Sequence, residues 1–312
     1  MNKLSFIAAR FSRESSFHKS LRPFVEGHTE AKVASRGGLL PCTPIVVTWR
    51  KAIAAAVAAM FVATVAWADA TPSARDIMAK VAAARKLDGS EAVVTMTMYS
   101  RKGEKRERQL AMATKLYDDG KTEKRVYRFL SPADVEGTGI LVFDYESAAD
   151  DMWIYLPSLH KVRRVVSSQR SNSFMGSEFS YADLNVPGLD DYKYQLVKEE
   201  AFRGDSCWVI DVIPQSKDVA EGEGYSKKTY WVSKNTFTLR RGLYYDEAGK
   251  LLKELVTDKI KLLDAKKKSY RPLHMEMVNK QNGRRSVFDT QKVAFTPNTD
   301  DANFTTRRLE QL

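Results

Sequence analysis

The chain has 312 residues, 43% of them hydrophobic and 29% charged, with 50 Lys and Arg against 39 Asp and Glu. Its net charge of +11 falls to +6 over residues 71–312, which hold 41 of those cations and 35 of the anions, spread along the chain. That spread excludes the concentrated basic face of a nucleic-acid binder and leaves only a weak attraction to anionic lipid surfaces.

Residues 1–48 mix Arg, Ser, His and Gly without a sustained period, so no packed core is expected there. Trp49-Arg50-Lys51 then precedes a 17-residue apolar run, Ala52 to Ala68, that ends Ala66-Trp67-Ala68-Asp69-Ala70. A basic start, a short apolar stretch and two A-x-A exits describe a secretory signal peptide over residues 49–70, cleaved after Ala68 or Ala70. The run is shorter than the ~20 residues that span a bilayer comfortably, which favours cleavage over an anchoring helix. Its position implies that translation begins near Val46 or Val47, or that the basic region is unusually long. Residues 71–312 remain as one domain. They keep one cysteine, Cys207, beside Trp208, Val209 and Ile210. It is expected as a buried strand residue that makes no internal disulfide.

Thr71-Pro72-Ser73 opens a helix with a hydroxyl cap, and Ile77, Met78, Val81 and Ala84 repeat at helical spacing up to Leu87-Asp88-Gly89. From Glu91 the period becomes two. Val94, Met96 and Met98 alternate with Thr95, Thr97 and Tyr99; Arg101 to Glu104 turns the chain; Lys105 to Lys115 returns. After a turn at Asp118 to Lys121, Glu123, Arg125, Tyr127 and Phe129 alternate with Lys124, Val126, Arg128 and Leu130. The segments Ile140–Tyr145 and Met152–Leu156 are apolar on both faces and must be covered on both sides. Two short strands meet at Pro157 and Ser158, and a long connection to Asp183 follows. It carries Phe174, Met175, Phe179 and Tyr181 within eight residues, too apolar to lie free in water. Strands resume at Tyr192–Glu200, Asp205–Pro214, Lys227–Val232, Thr238–Asp246, Lys250–Leu262, Arg271–Lys280 and Arg285–Phe295, most bounded by turn residues such as Gly204 and Asn282-Gly283. A polar tail with one apolar anchor, Phe304, and a last helical turn ends the chain. The spacing predicts one mainly β (α+β) domain: a large antiparallel sheet or barrel of roughly 11 or 12 strands with few helices.

Catalytic and metal signatures do not emerge. His160 and His274 lack zinc spacing, and no G-x-S-x-G elbow, P-loop or dinucleotide fingerprint occurs. Glu199-Glu200 and Asp190-Asp191 are adjacent, so on a strand they face opposite sides and form no dyad. The chain is therefore expected to be no enzyme and to need no cofactor or metal. What accumulates instead is adaptable apolar surface: Met96, Met98, Met112, Met152, Met175, Met275 and Met277, with Trp153, Trp208, Trp231, Tyr155, Tyr230, Tyr244 and Tyr245. Taken singly, each is best read as ordinary core. Together, on a curved sheet with few helices to fill its concave face, they predict a greasy binding cavity.

Asp151-x-Trp153-x-Tyr155-x-Pro157, then Arg163-Arg164, then Phe174-Met175-Gly176-Ser177-Glu178-Phe179-Ser180-Tyr181-x-Asp183 together resemble the outer membrane lipoprotein-sorting protein family, which is similar to the periplasmic lipoprotein carriers LolA and LolB. Ala182 departs from the family pattern by removing a carboxylate. The resemblance implies a half-open, strongly curved antiparallel β-barrel with helices over its mouth and acyl chains of a lipid or lipoprotein on its concave face. It also implies a periplasmic location, and a possible membrane transporter partner of the resistance-nodulation-division type. On this reading Trp153, Tyr155, Phe174, Met175, Phe179 and Tyr181 line the cavity or its lid. The alternation leaves open that Trp153 and Tyr155 pack beneath a helix while Ile154 faces the ligand. Arg163 and Arg164 point to opposite faces of a regular strand, so at most one meets a head group. The alternatives are a non-catalytic partner or sensor module of an envelope complex and, with the least support, an envelope hydrolase.

Overall fold

The computed structural model describes residues 72–166, 169–185 and 188–311; the expected signal peptide and the segment before it lie outside them. Thirteen antiparallel strands form a single sheet. They are β1 (Gly89–Tyr99), β2 (Lys105–Tyr117), β3 (Thr122–Ser131), β4 (Gly139–Tyr145), β5 (Asp151–Leu156), β6 (Lys161–Arg164), β7 (Tyr192–Phe202), β8 (Asp205–Pro214), β9 (Lys227–Ser233), β10 (Leu239–Tyr245), β11 (Leu251–Asp264), β12 (Ser269–Asn279) and β13 (Arg285–Phe295). The three α-helices among the described residues are α1 (Ala74–Arg85), α2 (Lys217–Glu223) and α3 (Thr306–Glu310).

The strand order is β6-β5-β4-β3-β2-β1-β13-β12-β11-β10-β9-β8-β7. Two meanders, β1–β6 and β7–β13, are thus sewn together at their middle by β1 and β13. Ser90 faces Phe295 at one end of that seam and Tyr99 faces Arg285 at the other. Gly89 permits the seam to start. A Cβ there would stand 2.3 Å from the carbonyl oxygen of Thr296, whose amide donates to the Gly89 carbonyl at 2.9 Å. β6 and β7 remain the two edges, so the sheet curves without closing, as a half-open barrel. The count exceeds the expected 11 or 12, and the four-residue edge strand β6 pairs along its whole length with β5.

Both faces of the sheet are covered, by different segments. Ser73 caps α1 by accepting from the amide of Asp76. The helix buries Ala74, Ile77 and Val81 against Tyr192, Trp208, Ile210, Val212 and Val232, which lie on the concave side of β7–β9. The connection from Val165 to Asp191 joins the two sheet edges and lays its aromatic residues on the concave side of β1–β5 and of the adjoining β12 and β13. There Phe174 and Phe179 join Met96, Phe129, Ile140, Met152, Met277 and Phe288 in the main core. On the convex side, Phe304 and Leu309 cover Ala113, Val126 and Leu141. The tail is held there by Lys115, whose ammonium reaches the Thr299 carbonyl at 2.9 Å and Asp301 at 2.7 Å. Cys207 is a free, buried thiol. No helix among the described residues is long and apolar enough to cross a membrane.

Candidate functional site

The concave face is not filled. A cavity of about 350 Å³ remains between the sheet, α1 and the long connection, within the ~300–1,000 Å³ of small-molecule sites. Val94, Leu110, Met112, Leu255, Met275 and Val293 are among the apolar residues of its floor; Met78, Val81 and Ala82 of α1 close one side; Phe174, Phe179 and Leu184 of the connection close the other.

The connection is built as a fixed cover. Its tip turns at Phe174-Met175-Gly176, where Met175 and Gly176 both take left-handed φ, 49° and 80°; the glycine adopts it without steric cost. The Phe174 amide donates to the Phe179 carbonyl at 2.7 Å, which closes the turn. Ser180 and Asp183 bond reciprocally: the Ser180 amide to the carboxylate at 2.7 Å, the Asp183 amide to the hydroxyl at 3.2 Å. Glu178 is the anchor. Its amide donates to the Ser286 hydroxyl at 2.9 Å, and its buried carboxylate accepts from Asn279 Nδ2 at 3.0 Å and pairs with Arg284 Nε at 3.0 Å. The Tyr225 hydroxyl donates to Asp183 at 3.2 Å, and the guanidinium of Arg108 donates to the Met175 carbonyl. Buried polar groups of a cover this apolar require such partners, since an unpaired one costs ~1–3 kcal/mol.

A second tie runs through β3. Arg125 is buried, donates to the Leu184 carbonyl, and pairs with Asp144 at 2.5 Å. Burial works against its charge, but Glu123, Tyr127, Asp144 and Asp150 more than offset that and raise its pKa. Asn185 donates to Asp150 at 2.7 Å, and Arg170 stands 3.8 Å from the same carboxylate. Burial, and then the neighbouring Asp144, push Asp150 up to about 6.

Placement of the expected residues divides cleanly. Phe174 is fully buried beside Tyr127, Phe129, Tyr181 and Phe288, with ring centroids 5.6–6.2 Å apart. Phe174 and Phe179 line the cavity; Met175 and Tyr181 pack against the same core behind them. Trp153 and Tyr155 lie elsewhere: they pack on the convex side with Phe143, Phe304 and Leu309, and Met152 and Ile154 take the concave side. Their assignment to the cavity is corrected by the pleat of β5, and the cover above them is the C-terminal tail. Arg164 faces Trp153 across the β5–β6 ladder, on that convex side, and pairs with Asp151. Arg163 faces Ile154 and is exposed at the sheet edge. Neither arginine lines the cavity.

The charged groups that do line it are Arg85, Arg125, Lys228, Arg271, Glu123 and Asp183. Lys228 is buried with Glu223, its ion-pair partner, which raises its pKa against the opposing effect of burial. Arg125 had a legible signal, an arginine on the strand face that carries Tyr127 and Phe129. Arg85 and Arg271 had none, because their meeting depends on where α1 ends over β12. All seven methionines named above fall in the concave-face core.

A family model described as "Uncharacterized protein" matches residues 121–311. No curated relative matches the chain. Among solved structures the chain is similar to an outer membrane lipoprotein-sorting protein domain of Vibrio parahaemolyticus, with 29% identity over 76% of this chain and 98% of that one and a TM-score of 0.69. A DUF1329 family protein of Desulfovibrio piger gives 29% identity, 76% and 97% coverage and a TM-score of 0.70. A LolA superfamily protein of Nitrosomonas europaea, at 20% identity, 76% and 100% coverage and a TM-score of 0.58, shares the fold. An unclosed antiparallel sheet curved around an apolar cavity is the LolA-like class of fold. The chain belongs to a LolA-like family.

Proposed function

We propose that the protein is a periplasmic carrier that shelters acyl chains of a lipid or lipoprotein on their way to or from the outer membrane. The observation that carries this reading is the apolar cavity of about 350 Å³ bounded by the sheet, α1 and the long connection. The similarity to a lipoprotein-sorting domain supports it. The work is done by partition and needs no bond chemistry. Each methylene moved from water into the cavity contributes ~0.8 kcal/mol, so one chain binds firmly and still leaves. Methionines on the floor suit chains of varied shape, because the thioether adapts to irregular surfaces.

The signal peptide read over residues 49–70 would deliver the chain to the periplasm. Phe174 and Phe179 would meet the acyl chain, with Met175 and Tyr181 holding the cover behind them.

The test is mass spectrometry of organic extracts of the mature protein purified from its own envelope. A stoichiometric lipid is expected; no bound or transferable lipid under any condition sinks the reading. Phe174→Asp combined with Met175→Asp should abolish binding, and unchanged binding in a folded double variant removes the connection from the site.

A further inference from the structure

The cavity lining is not purely apolar. Of the six charged residues that line it, four are cations and two are carboxylates. Two of the cations are already neutralised, Arg125 by Asp144 and Lys228 by Glu223. The remaining pair, Arg85 and Arg271, has no carboxylate within 4 Å among the described residues.

This pair is held together by the end of α1. Arg271 lies on β12 and donates to the carbonyl of Ala84 at 3.1 Å, to its neighbour Tyr270 at 2.9 Å, and to the carbonyl of Arg85. Its guanidinium is therefore fixed against the last turn of the helix, where a cation complements the exposed carbonyls. That arrangement satisfies donors but leaves the formal charge without a counter-ion. Arg85 is exposed on the same last turn, and its charge acts on both Arg271 and Tyr127, which line the cavity. Burial is the main cause that lowers Arg271 to about 10, and Arg85 adds to it; Glu123 opposes them. Glu123 itself stands 3.8 Å from Arg125 and shares its charge there. Two like charges beside an apolar cavity are destabilising on their own, and an anion between them would remove that cost.

We propose that Arg85 and Arg271 receive the anionic head group, phosphate or carboxylate, of an amphiphile whose acyl part fills the cavity. The proposal rests on the carrier reading and narrows it to a substrate class: acidic amphiphiles over neutral ones. A guanidinium presents paired N–H donors that match either oxyanion. The acyl chain would run from this pair along the Met112, Met275 and Met277 floor toward the connection.

The experiment compares a fluorescent polyene fatty acid with its methyl ester, and lysophosphatidylglycerol with lysophosphatidylcholine, on the mature chain at low and high salt. The wild type should bind the acid and the phosphatidylglycerol analogue roughly tenfold more tightly than their neutral counterparts, and salt should erode the difference. If only one acidic probe is preferred, it identifies carboxylate or phosphate as the source. Arg85→Glu should abolish the preference of acid over ester. Arg101→Glu, with the same charge change at the other end of β1, should leave the preference intact. Equal binding of acid and ester, unmoved by Arg85→Glu, overturns the head-group site and leaves the carrier reading standing. No binding of any probe overturns both.

Discussion

Phe179 stacks on Phe288 with ring centroids 4.4 Å apart and an interplanar angle of 29°. One ring belongs to the connection between the sheet edges and the other to β13, at the seam of the sheet, so this contact docks the cover onto the cavity floor. Such aromatic pairs contribute ~0.5–1.5 kcal/mol beyond the area they bury. A double-mutant cycle of Phe179→Leu and Phe288→Leu, read by urea denaturation, should give a coupling energy in that range. A coupling near zero would mean that the cover rests on the sheet without specific contact.

Glu178 should control how tightly the cover is held. Glu178→Ala leaves the Asn279 amide without its acceptor and releases Arg284. The expected cost is ~1–3 kcal/mol, the scale of an orphaned buried donor, with the half-exposed Arg284 adding little. Hydrogen exchange should quicken first in residues 173–185 and leave β8 and β9 unchanged.

Asp150 predicts an inverse pH dependence. Its carboxyl titrates near 6 in the folded chain, against 3.8 for an ordinary aspartate. A raised acid binds more protons folded than unfolded, so its contribution to stability falls as pH rises from 4 to 6 and is complete as a penalty by pH 7. At ~1.36 kcal/mol per unit this is at most ~3 kcal/mol. Asp150→Asn should flatten the profile over that window while wild-type thermal stability declines across it. Parallel profiles would rule the residue out as the source.

The C-terminal tail should behave as part of the core. Phe304 is 2% exposed and meets Tyr117 edge-on at 6.2 Å. Phe304→Ala should cost ~3–5 kcal/mol. It should also uncover Trp153, whose emission would shift to the red; adding Trp153→Phe should abolish the shift.

The strands were legible because their alternation is interrupted by strong turn residues; β12 to β13 turns at Asn282-Gly283, where Gly283 takes φ of 74°. α2 was not foreseen, since Lys-Asp-Val-Ala-Glu-Gly-Glu presents no apolar stripe and buries none of its residues. β5 shows the limit of periodicity. Both of its faces are covered, so alternation separates Trp153 and Tyr155 from Met152 and Ile154 without saying which pair faces the cavity. The cover was recognisable in Phe174, Phe179 and Glu178 because apolar and acidic residues share a short non-periodic stretch. The Arg85–Arg271 meeting joins residues far apart in sequence, and only the register of the sheet brings β12 beneath the last turn of α1.

The seam between β1 and β13 also bears on how the chain reaches this shape. Every other strand pair joins consecutive strands except this one, which brings Ser90 to Phe295 across nearly the whole domain. Loop-closure entropy places such a contact late, after the local hairpins have formed. Until then each meander carries an open inner edge of ten or more residues, able to pair with another copy. The cavity floor spans this late joint, with Val94 on β1 and Val293 on β13 both lining it. A ligand that filled the cavity would therefore act as a rivet across the joint, slowing its reopening as well as occupying the space.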